Sequence, residues 1–312
     1  MFVHHLTCCI LAAALLCQAA AVTISNAAAA DATNDVFRRD NLVAWCIVPF
    51  DAKKRGPEER AAMLEKLGFK QFAYDFRAEH VPTFEAEIEA CKRHGVELSA
   101  WWFPGSLNAD ALHILALCKK HDIHPELWIS GGGTAPATPE ETKTRLAQEV
   151  ARIRPIAEAA AAQGLKVGLY NHGGWFGEPE TQLAIIGELK LPNVGIVYNL
   201  HHGHDHVERL PDILKMTLPH LLCVNLNGMV PQGDRQGQKI LQLGQGSLDL
   251  DLLKTIRASG YRGPIGILGH TQDDAEARLQ DNLDGLDWLL PQLDGKPAAV
   301  KPTPRTPVRI QA

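Results

Sequence analysis

The stretch that decides the fold is residues 165–206, which read LKVGLYNHGGWFGEPETQLAIIGELKLPNVGIVYNLHHGHDH. It contains two short apolar runs, residues 167–170 and 194–198, and each is followed at once by polar and ring-bearing side chains. Such runs, which contain β-branched residues and are bounded by Gly and Pro, indicate strands that are buried on both faces of a parallel sheet. Polar side chains that begin where parallel strands end are typical of the rim of an α/β barrel.

The same alternation of a short apolar run and a helical pattern occurs eight times in the chain. One helical pattern places Phe84, Ile88 and Cys91 on one face and ends before Gly95, as an amphipathic helix with a glycine stop does. No glycine-rich dinucleotide motif follows the first run, which disfavours a doubly wound open sheet. We therefore predict a single α/β domain, a (β/α)8 TIM barrel over residues 41–293. The predicted strands are residues 42–49, 70–76, 97–103, 125–130, 166–170, 194–198, 221–226 and 264–268.

The two ends of the 312-residue chain depart from this pattern. Residues 6–24 are apolar and uncharged and small residues follow them, which predicts a signal peptide over residues 1–30. A lone membrane anchor is the competing interpretation. After cleavage, the domain is expected to be periplasmic or extracellular, without stable membrane association. Residues 294–312 are rich in Pro and Lys and lack an apolar period, so we predict that they are disordered.

Side chains that follow the predicted strands are expected to meet at one end of the barrel. They are rich in imidazoles, amides and indoles, which can bond sugar hydroxyls and cover the C–H face of a sugar ring. Two long loops, residues 171–179 and 227–247, are expected to lie over this site. The predicted catalytic residues are His172, His202, His204, His270 and Glu178. The predicted substrate-binding residues are Asp75, Arg77, Trp102, Asn171, Trp175, Asn199, His201, Asn225, Asn227 and Gln272.

Several of these residues have a structural alternative. The four imidazoles of residues 201–206 could belong to a solvated turn, although four in six residues at a strand end is unusual. Asp75 and Arg77 could form an ion pair inside the barrel mouth. Glu178 could stand at a helix start, where a carboxylate is favourable.

Other residues are assigned to the core. Trp101 and Trp102 point to opposite faces if they lie in a strand, so one of them is expected to be core packing. Trp45 is assigned to the core as well. Cys46 is interpreted as a small core hydrophobe, because its spacing to other cysteines matches neither a metal site nor a disulfide framework.

At these residues the sequence resembles the xylose isomerase-like barrel superfamily. This is the sugar phosphate isomerase/epimerase group, which also includes the second class of apurinic endonucleases. The resemblance covers residues 41–293 and is most specific in the last of its four motifs. These motifs are LGFKQFAYDF (67–76), GLYNHGGWFGEPE (168–180), GIVYNLHHGH (195–204) and LGQGSLDLDLLKTIRASGYRGPIGIL (243–268).

The resemblance implies a divalent metal held by Glu, Asp, His and Glu at the ends of the later strands, and here the sequence departs from it. Tyr170 and Asn199 stand where the first Glu and the Asp are expected, whereas the His survives as His202. After the seventh strand the expected ligand position falls near Asn225, and after the eighth Gly269 and His270 stand where Glu is usual. A site built from carboxylates for a hard cation is therefore not preserved. The sequence leaves two alternatives for a cofactor. Either the site works without a metal, or a divalent transition metal is held by His172, His202 and His270.

The function that these features favour is a sugar isomerase- or epimerase-like enzyme. It would transfer a proton next to a carbonyl on a non-phosphorylated keto-sugar or oxidised glycoside, since an exported protein does not meet phosphorylated sugars. The alternatives are a lyase or hydratase that acts on 3-keto-glycosides, and a catalytically inactive carbohydrate-binding barrel. The net charge of −5 gives no reason to expect nucleic acid as a partner, which disfavours a nuclease. The oligomeric state stays open.

Overall fold

The eight predicted strands form a closed barrel in the computed structural model of the chain, which describes residues 35–307. Neighbouring strands are parallel, and the last strand pairs with the first. The strands are β1 (Leu42–Trp45), β2 (Gln71–Tyr74), β3 (Glu97–Trp102), β4 (Glu126–Ser130), β5 (Val167–Tyr170), β6 (Val194–Asn199), β7 (Leu221–Leu226) and β8 (Ile265–Leu268). This confirms the predicted single-domain TIM barrel. The signal peptide predicted for residues 1–30 lies outside the described residues.

A helix follows each strand and packs on the outside of the barrel. The helices are α1 (Pro57–Leu67), α2 (Phe84–Arg93), α3 (Ala109–His121), α4 (Pro139–Ala161), α5 (Pro179–Leu189), α6 (Leu210–Thr217), α7 (Asp249–Ala258) and α8 (Ala275–Leu293). Three of them begin with proline, which fits the first helical position because the missing N–H has no helical partner there anyway. None of the described helices has the length and hydropathy needed to cross a membrane.

Alternate residues along each strand point to opposite sides of the barrel wall and form two separate apolar clusters. Phe72 and Trp101 belong to the outer cluster, between the strands and the helices. Trp45 and Trp128 belong to the inner cluster, and Trp102 packs against it. Trp101 and Trp102 therefore face opposite sides, as predicted from their neighbouring positions.

Two indoles divide the interior of the barrel. The rings of Trp45 and Trp128 meet edge to face, with centroids 4.8 Å apart. Room for Trp128 depends on Gly168, because a Cβ there would lie 2.9 Å from Trp128 Cδ1 and 2.6 Å from Val197 Cγ2. The indole pair separates a cavity at the carboxyl ends of the strands from another at their amino ends.

The segment after α8 has no regular secondary structure and is largely exposed, but Arg305 and Thr306 hydrogen-bond to the barrel. The disorder expected for residues 294–312 stays a prediction. The Asp281 carboxylate accepts hydrogen bonds from Thr306 N and Thr306 Oγ1, both at 2.7 Å, and from Arg305 N at 2.8 Å. Gln242 Nε2 donates to Thr306 Oγ1 at 2.9 Å. The contacts are polar and join residues that are distant in sequence, so an apolar period in the tail could not reveal them. Residues 308–312 lie outside the described part.

Candidate functional site

A small cavity of about 60 Å³ lies at the carboxyl ends of the strands. It receives side chains from six of the eight strand ends, so residues that are far apart in sequence converge there, as barrel topology requires. Seven of the predicted site residues are among them. The lining residues are Trp45, Cys46, Phe50, Asp75, Arg77, Trp102, Tyr170, His172, His201, His202 and His270.

Four imidazoles form one cluster in this cavity. The ring centroids of His172 and His202 are 4.5 Å apart, and those of His201 and His202 are 3.7 Å apart. The ring of His270 lies 6.1 Å from His201 and packs on Phe50 at 3.6 Å. The short helical turn Leu200–His202 after β6 brings His201 and His202 into the cluster, so these imidazoles do not belong to a solvated turn.

Hydrogen bonds fix the tautomer of His201. Its backbone N–H donates to Asn199 Oδ1, which identifies that atom as the amide oxygen. His201 Nδ1 lies 2.7 Å from the same oxygen and must carry the proton, since a carbonyl oxygen only accepts. His201 Nε2 is therefore unprotonated in the neutral ring.

All four imidazoles are held neutral at pH 7. Burial lowers the pKa of His202 to about 3 and that of His270 to about 4, and nearby positive charge adds to the effect. Burial also lowers the pKa of His172, and that of His201 lies well below its ordinary value. The Nε2 atom of His202 is buried and has no hydrogen-bond partner in residues 35–307. These rings are therefore available as proton acceptors or hydrogen-bond partners for a bound molecule.

Among the residues that the structure describes, Asp75 is the one carboxyl group that lines the cavity. Its Oδ1 accepts a hydrogen bond from Val48 N at 3.1 Å, and its buried Oδ2 has no partner within the described part of the chain. Burial raises the pKa of Asp75 to about 7, against the opposing effects of the Val48 N–H and of Arg77. The Arg77 guanidinium donates to the backbone oxygens of Phe76 and Asp75, not to the Asp75 carboxylate. The carboxyl is therefore set to exchange a proton near neutral pH.

The Tyr170 hydroxyl has an unusual set of partners. It accepts hydrogen bonds from Trp45 Nε1 at 3.1 Å and from the Asn199 side-chain amide, and both of these groups can only donate. The hydroxyl proton is therefore free to point into the cavity. Burial raises the pKa of Tyr170 well above its ordinary value, so the group stays protonated and can donate to a substrate oxygen.

Other predicted site residues do not line the cavity. His204 Nε2 donates to the Lys239 backbone oxygen at 2.9 Å, and Asn227 Nδ2 donates to the same oxygen at 3.2 Å. Glu178 stands at the start of α5 and contacts His206 Nε2 at 3.2 Å. These side chains position loops or helices around the site.

The remaining predicted residues contact the strand ends or lie outside the cavity. Asn171 exchanges hydrogen bonds with the backbone of Asn199, and Asn199 in turn contacts Tyr170 and His201. Asn225 is fully buried beside β8, and Gln272 is exposed. The Trp175 ring lies under the Arg145 guanidinium, 4.9 Å from it, and does not cover the cavity.

Several residues that lie at or near the cavity were not predicted as site residues. Trp45 and Cys46 belong to the inner apolar cluster, as expected from the sequence, and they also line the cavity. β1 was predicted to extend to residue 49; it ends at Trp45, and Cys46 turns into the cavity with a φ of 55°. Phe50 lies in the loop that follows. Lys239 lies in the long loop 227–247 that was expected over the site, and its positive charge acts on the imidazoles. The length of that loop was the available signal.

The donor set does not fit a carboxylate-bound metal ion. Tyr170 and Asn199, at two of the family's ligand positions, are hydrogen-bonded to each other. Among the residues that the structure describes, no group of three or more His, Cys, Asp or Glu side chains is arranged to hold a metal, and this includes the alternative set of His172, His202 and His270.

Comparisons with known proteins agree with this architecture. The model of one family, described as xylose isomerase-like TIM barrel, matches residues 58–291. No curated protein matches the chain significantly. A crystal structure of a 3-keto-D-glucoside 4-epimerase from E. coli is 19% identical, with a TM-score of 0.58, over 81% of this chain and 99% of that one.

Two further solved structures are similar over nearly their whole length. The probable 3-DHS dehydratase AsbF from Bacillus anthracis is 17% identical, with a TM-score of 0.60, over 79% of this chain and 98% of that one. The IOLI protein with a bound zinc atom is 15% identical, with a TM-score of 0.62, over 81% and 98%. At these identities, the likeness shows the fold.

Proposed function

This chain belongs to the xylose isomerase-like TIM barrel family, and we propose that it is an enzyme that moves a proton at a carbon next to a carbonyl group of a sugar. The observation that carries the proposal is the placement of Asp75 and His202 in one cavity. They follow β2 and β6, which are opposite each other in a ring of eight strands. A planar intermediate held between them would have a proton-exchanging group on each face.

The contacts of the cavity support the following sequence of steps. The Tyr170 hydroxyl donates to the substrate carbonyl oxygen and stabilises the negative charge that develops there. Asp75, as the carboxylate, takes the proton from the adjacent carbon, which leaves an enolate. That negative charge raises the pKa of the nearby imidazoles, so His202 gains a proton from solvent and delivers it to the carbon from the opposite face. Asp75 then releases the abstracted proton to solvent and is a carboxylate again. The carbon is inverted, and the outcome is an epimerisation.

A lyase outcome shares the first half of this scheme. If a leaving group departs from the neighbouring carbon after Asp75 has taken the proton, the product is an unsaturated sugar. The similar structures include a 3-keto-D-glucoside 4-epimerase and a probable dehydratase, which supports both outcomes. We propose non-phosphorylated keto-sugars or oxidised glycosides, 3-keto-glycosides among them, as substrates. The apolar, uncharged stretch of residues 6–24 supports export of the enzyme.

The test is a panel of keto-sugars incubated with the purified chain in deuterated water. Solvent deuterium bound to carbon supports the proposal, and loss of a leaving group identifies the lyase. In His202→Gln, we expect deuterium to enter the substrate while the epimer no longer forms, since Asp75 still works on its own face. His206→Gln is the matched control, because His206 contacts Tyr198 and Glu178 and does not line the cavity. If keto-sugars bind but no deuterium is incorporated, the chain is a carbohydrate-binding protein and not an enzyme.

A further inference from the structure

Two cations at or near the cavity, Arg77 and Lys239, form no ion pair with an acidic side chain among the described residues. Arg77 lines the mouth, with its guanidinium carbon 5.5 Å from the Phe50 ring centroid and its hydrogen bonds directed to backbone oxygens. Elsewhere, arginines such as Arg55 and Arg60 pair with carboxylates. In the described part of the chain, no carboxylate forms an ion pair with Arg77 or Lys239.

Lys239 is fixed beside this cavity by its backbone. Its carbonyl oxygen accepts hydrogen bonds from His204 and Asn227, and the next residue, Ile240, packs into the inner cluster with Trp45. The Lys239 ammonium is close enough to lower the pKa of His172, His201, His202 and His270, after the larger effect of burial. The loop 227–247 therefore holds the backbone of Lys239 beside the inner cluster, and the charge of its side chain acts on the imidazoles.

The charge balance of the free site is therefore positive. The imidazoles are neutral, Asp75 is partly protonated near pH 7, and two cations remain. A positively lined cleft concentrates anions, and a guanidinium binds a carboxylate through two parallel hydrogen bonds. An anion in the cavity would also offset the nearby positive charge, which adds to the effect of burial in lowering the pKa values of the imidazoles.

We propose that the substrate of this site is an anionic sugar, a keto-sugar that carries a carboxylate, held by Arg77 and Lys239. This inference rests on the proposed sugar function and narrows its substrate class. Arg77 would bind the carboxylate at the mouth, whereas Lys239 would face the oxygen on which the enolate charge develops. A phosphate group offers similar chemistry, so the experiment includes it as a separate arm.

The experiment is calorimetric binding to the full chain of matched pairs: D-glucuronate against D-glucose, D-galacturonate against D-galactose, and D-gluconate against D-glucitol. D-glucose 6-phosphate is the phosphate arm. We expect at least one acid to bind about tenfold or more tightly than its neutral partner, about 1.4 kcal/mol, with a difference that shrinks as salt is added. Neutral members that bind as tightly as the acids in every pair, or a panel in which nothing binds, would overturn the proposal. If D-glucose 6-phosphate binds more tightly than every carboxylate, the anionic group of the substrate is a phosphate and not a carboxylate.

Variants separate the two cations from the rest of the surface. Lys239→Met and Arg77→Met should each lower the affinity for the acid about tenfold and leave the neutral partner unchanged. Arg235→Met is the matched control, since Arg235 lies in the same loop but pairs with Asp205. Without any ligand, Lys239→Met should raise the imidazole pKa values in an NMR titration. Unchanged values would remove Lys239 from the site.

The outcomes distinguish this inference from the function on which it rests. Neutral keto-sugars that exchange deuterium as readily as the acids would overturn the anionic preference and leave the enzyme assignment intact. Acids that bind selectively, but never exchange deuterium when tested as keto-sugars, would overturn the enzyme assignment and leave the preference intact.

Discussion

The cavities at the two ends of the barrel interior differ in volume and in the side chains that line them. Their volumes alone would point to the wrong cavity as the candidate site. The cavity at the amino ends of the strands has a volume of about 320 Å³, against about 60 Å³ at the carboxyl ends. Its lining residues Glu97, His124 and Lys166 are exposed, and the charges of Glu97 and Lys166 have opposite signs. Its half-buried carboxyl, Glu126, accepts a hydrogen bond from Trp128 Nε1 at 3.0 Å.

The smaller cavity is lined by buried polar groups whose hydrogen bonds are unmet. Asp75 Oδ2 and His202 Nε2 are buried without a hydrogen-bond partner in the described residues, and Tyr170 has a hydroxyl proton to donate. Buried polar groups without a partner destabilise a fold unless a ligand or a reaction uses them. Of the two cavities, the smaller is the one lined by such groups among the described residues, so volume alone does not identify the site.

The largest expected effect separates the two carboxyl groups. Asp75→Asn keeps the acceptor for Val48 N but cannot take a proton, so we expect deuterium exchange to fall by about 10²- to 10⁴-fold. Glu126→Gln is the matched change at the other end, and we expect it to leave the rate unchanged. The measurement is carbon-bound deuterium by NMR. An equal loss in both variants would mean that the carboxyl end is not the reacting end.

The next effect concerns the hydroxyl that we place on the substrate carbonyl. Tyr170→Phe removes one neutral donor at the developing charge, and losses of about 10²-fold in kcat are typical of such a donor. Tyr198→Phe is the control, because that hydroxyl contacts His206 and its ring lies in the outer cluster. Steady-state kinetics with an accepted keto-sugar measures both. If the two variants slow equally, Tyr170 acts only through packing.

A third prediction uses pH. Because the pKa of Asp75 is raised from 3.8 to about 7 and the carboxylate is the active form, kcat/KM should rise with pH and level off above 7. At pH 6 it should lie about tenfold below the plateau. The imidazoles stay neutral over this range and add no second rise. Glu126→Gln should keep the rising limb, and a flat profile in the wild-type chain would refute the assignment of Asp75.

The smallest expected effect concerns the tail, residues 294–307, which contacts the loop 227–247 at the carboxyl ends of the strands. Thr306→Ala removes the hydroxyl that donates to Asp281 and accepts from Gln242, so the free energy of unfolding should fall by about 1–2 kcal/mol. Thr303→Ala changes an exposed threonine of the same tail and should have no effect. Urea unfolding measures both. If Thr306→Ala and the wild-type chain have equal urea midpoints, the tail contacts add nothing to stability.

The sequence predicted the barrel because each strand can be recognised from its own residues. Strands such as β5 and β6 are apolar on both faces, and this is visible in four to six consecutive residues without knowledge of their neighbours. The same locality explains what the sequence did not reveal. The end of β1 is set by the turn at Cys46, and the path of the tail is set by Asp281 and Gln242, which are distant in sequence.

What the sequence by itself determined is the order of strands and helices, and which side chains stand at strand ends, because these depend on short periodicities and on the topology of a parallel barrel. Only the tertiary structure decided which of those side chains face the cavity. It separated His202 from His204, and it placed Lys239 beside the imidazoles. The physical reason is that desolvation, pKa shifts and unmet hydrogen bonds arise from neighbours that the fold supplies from distant parts of the chain.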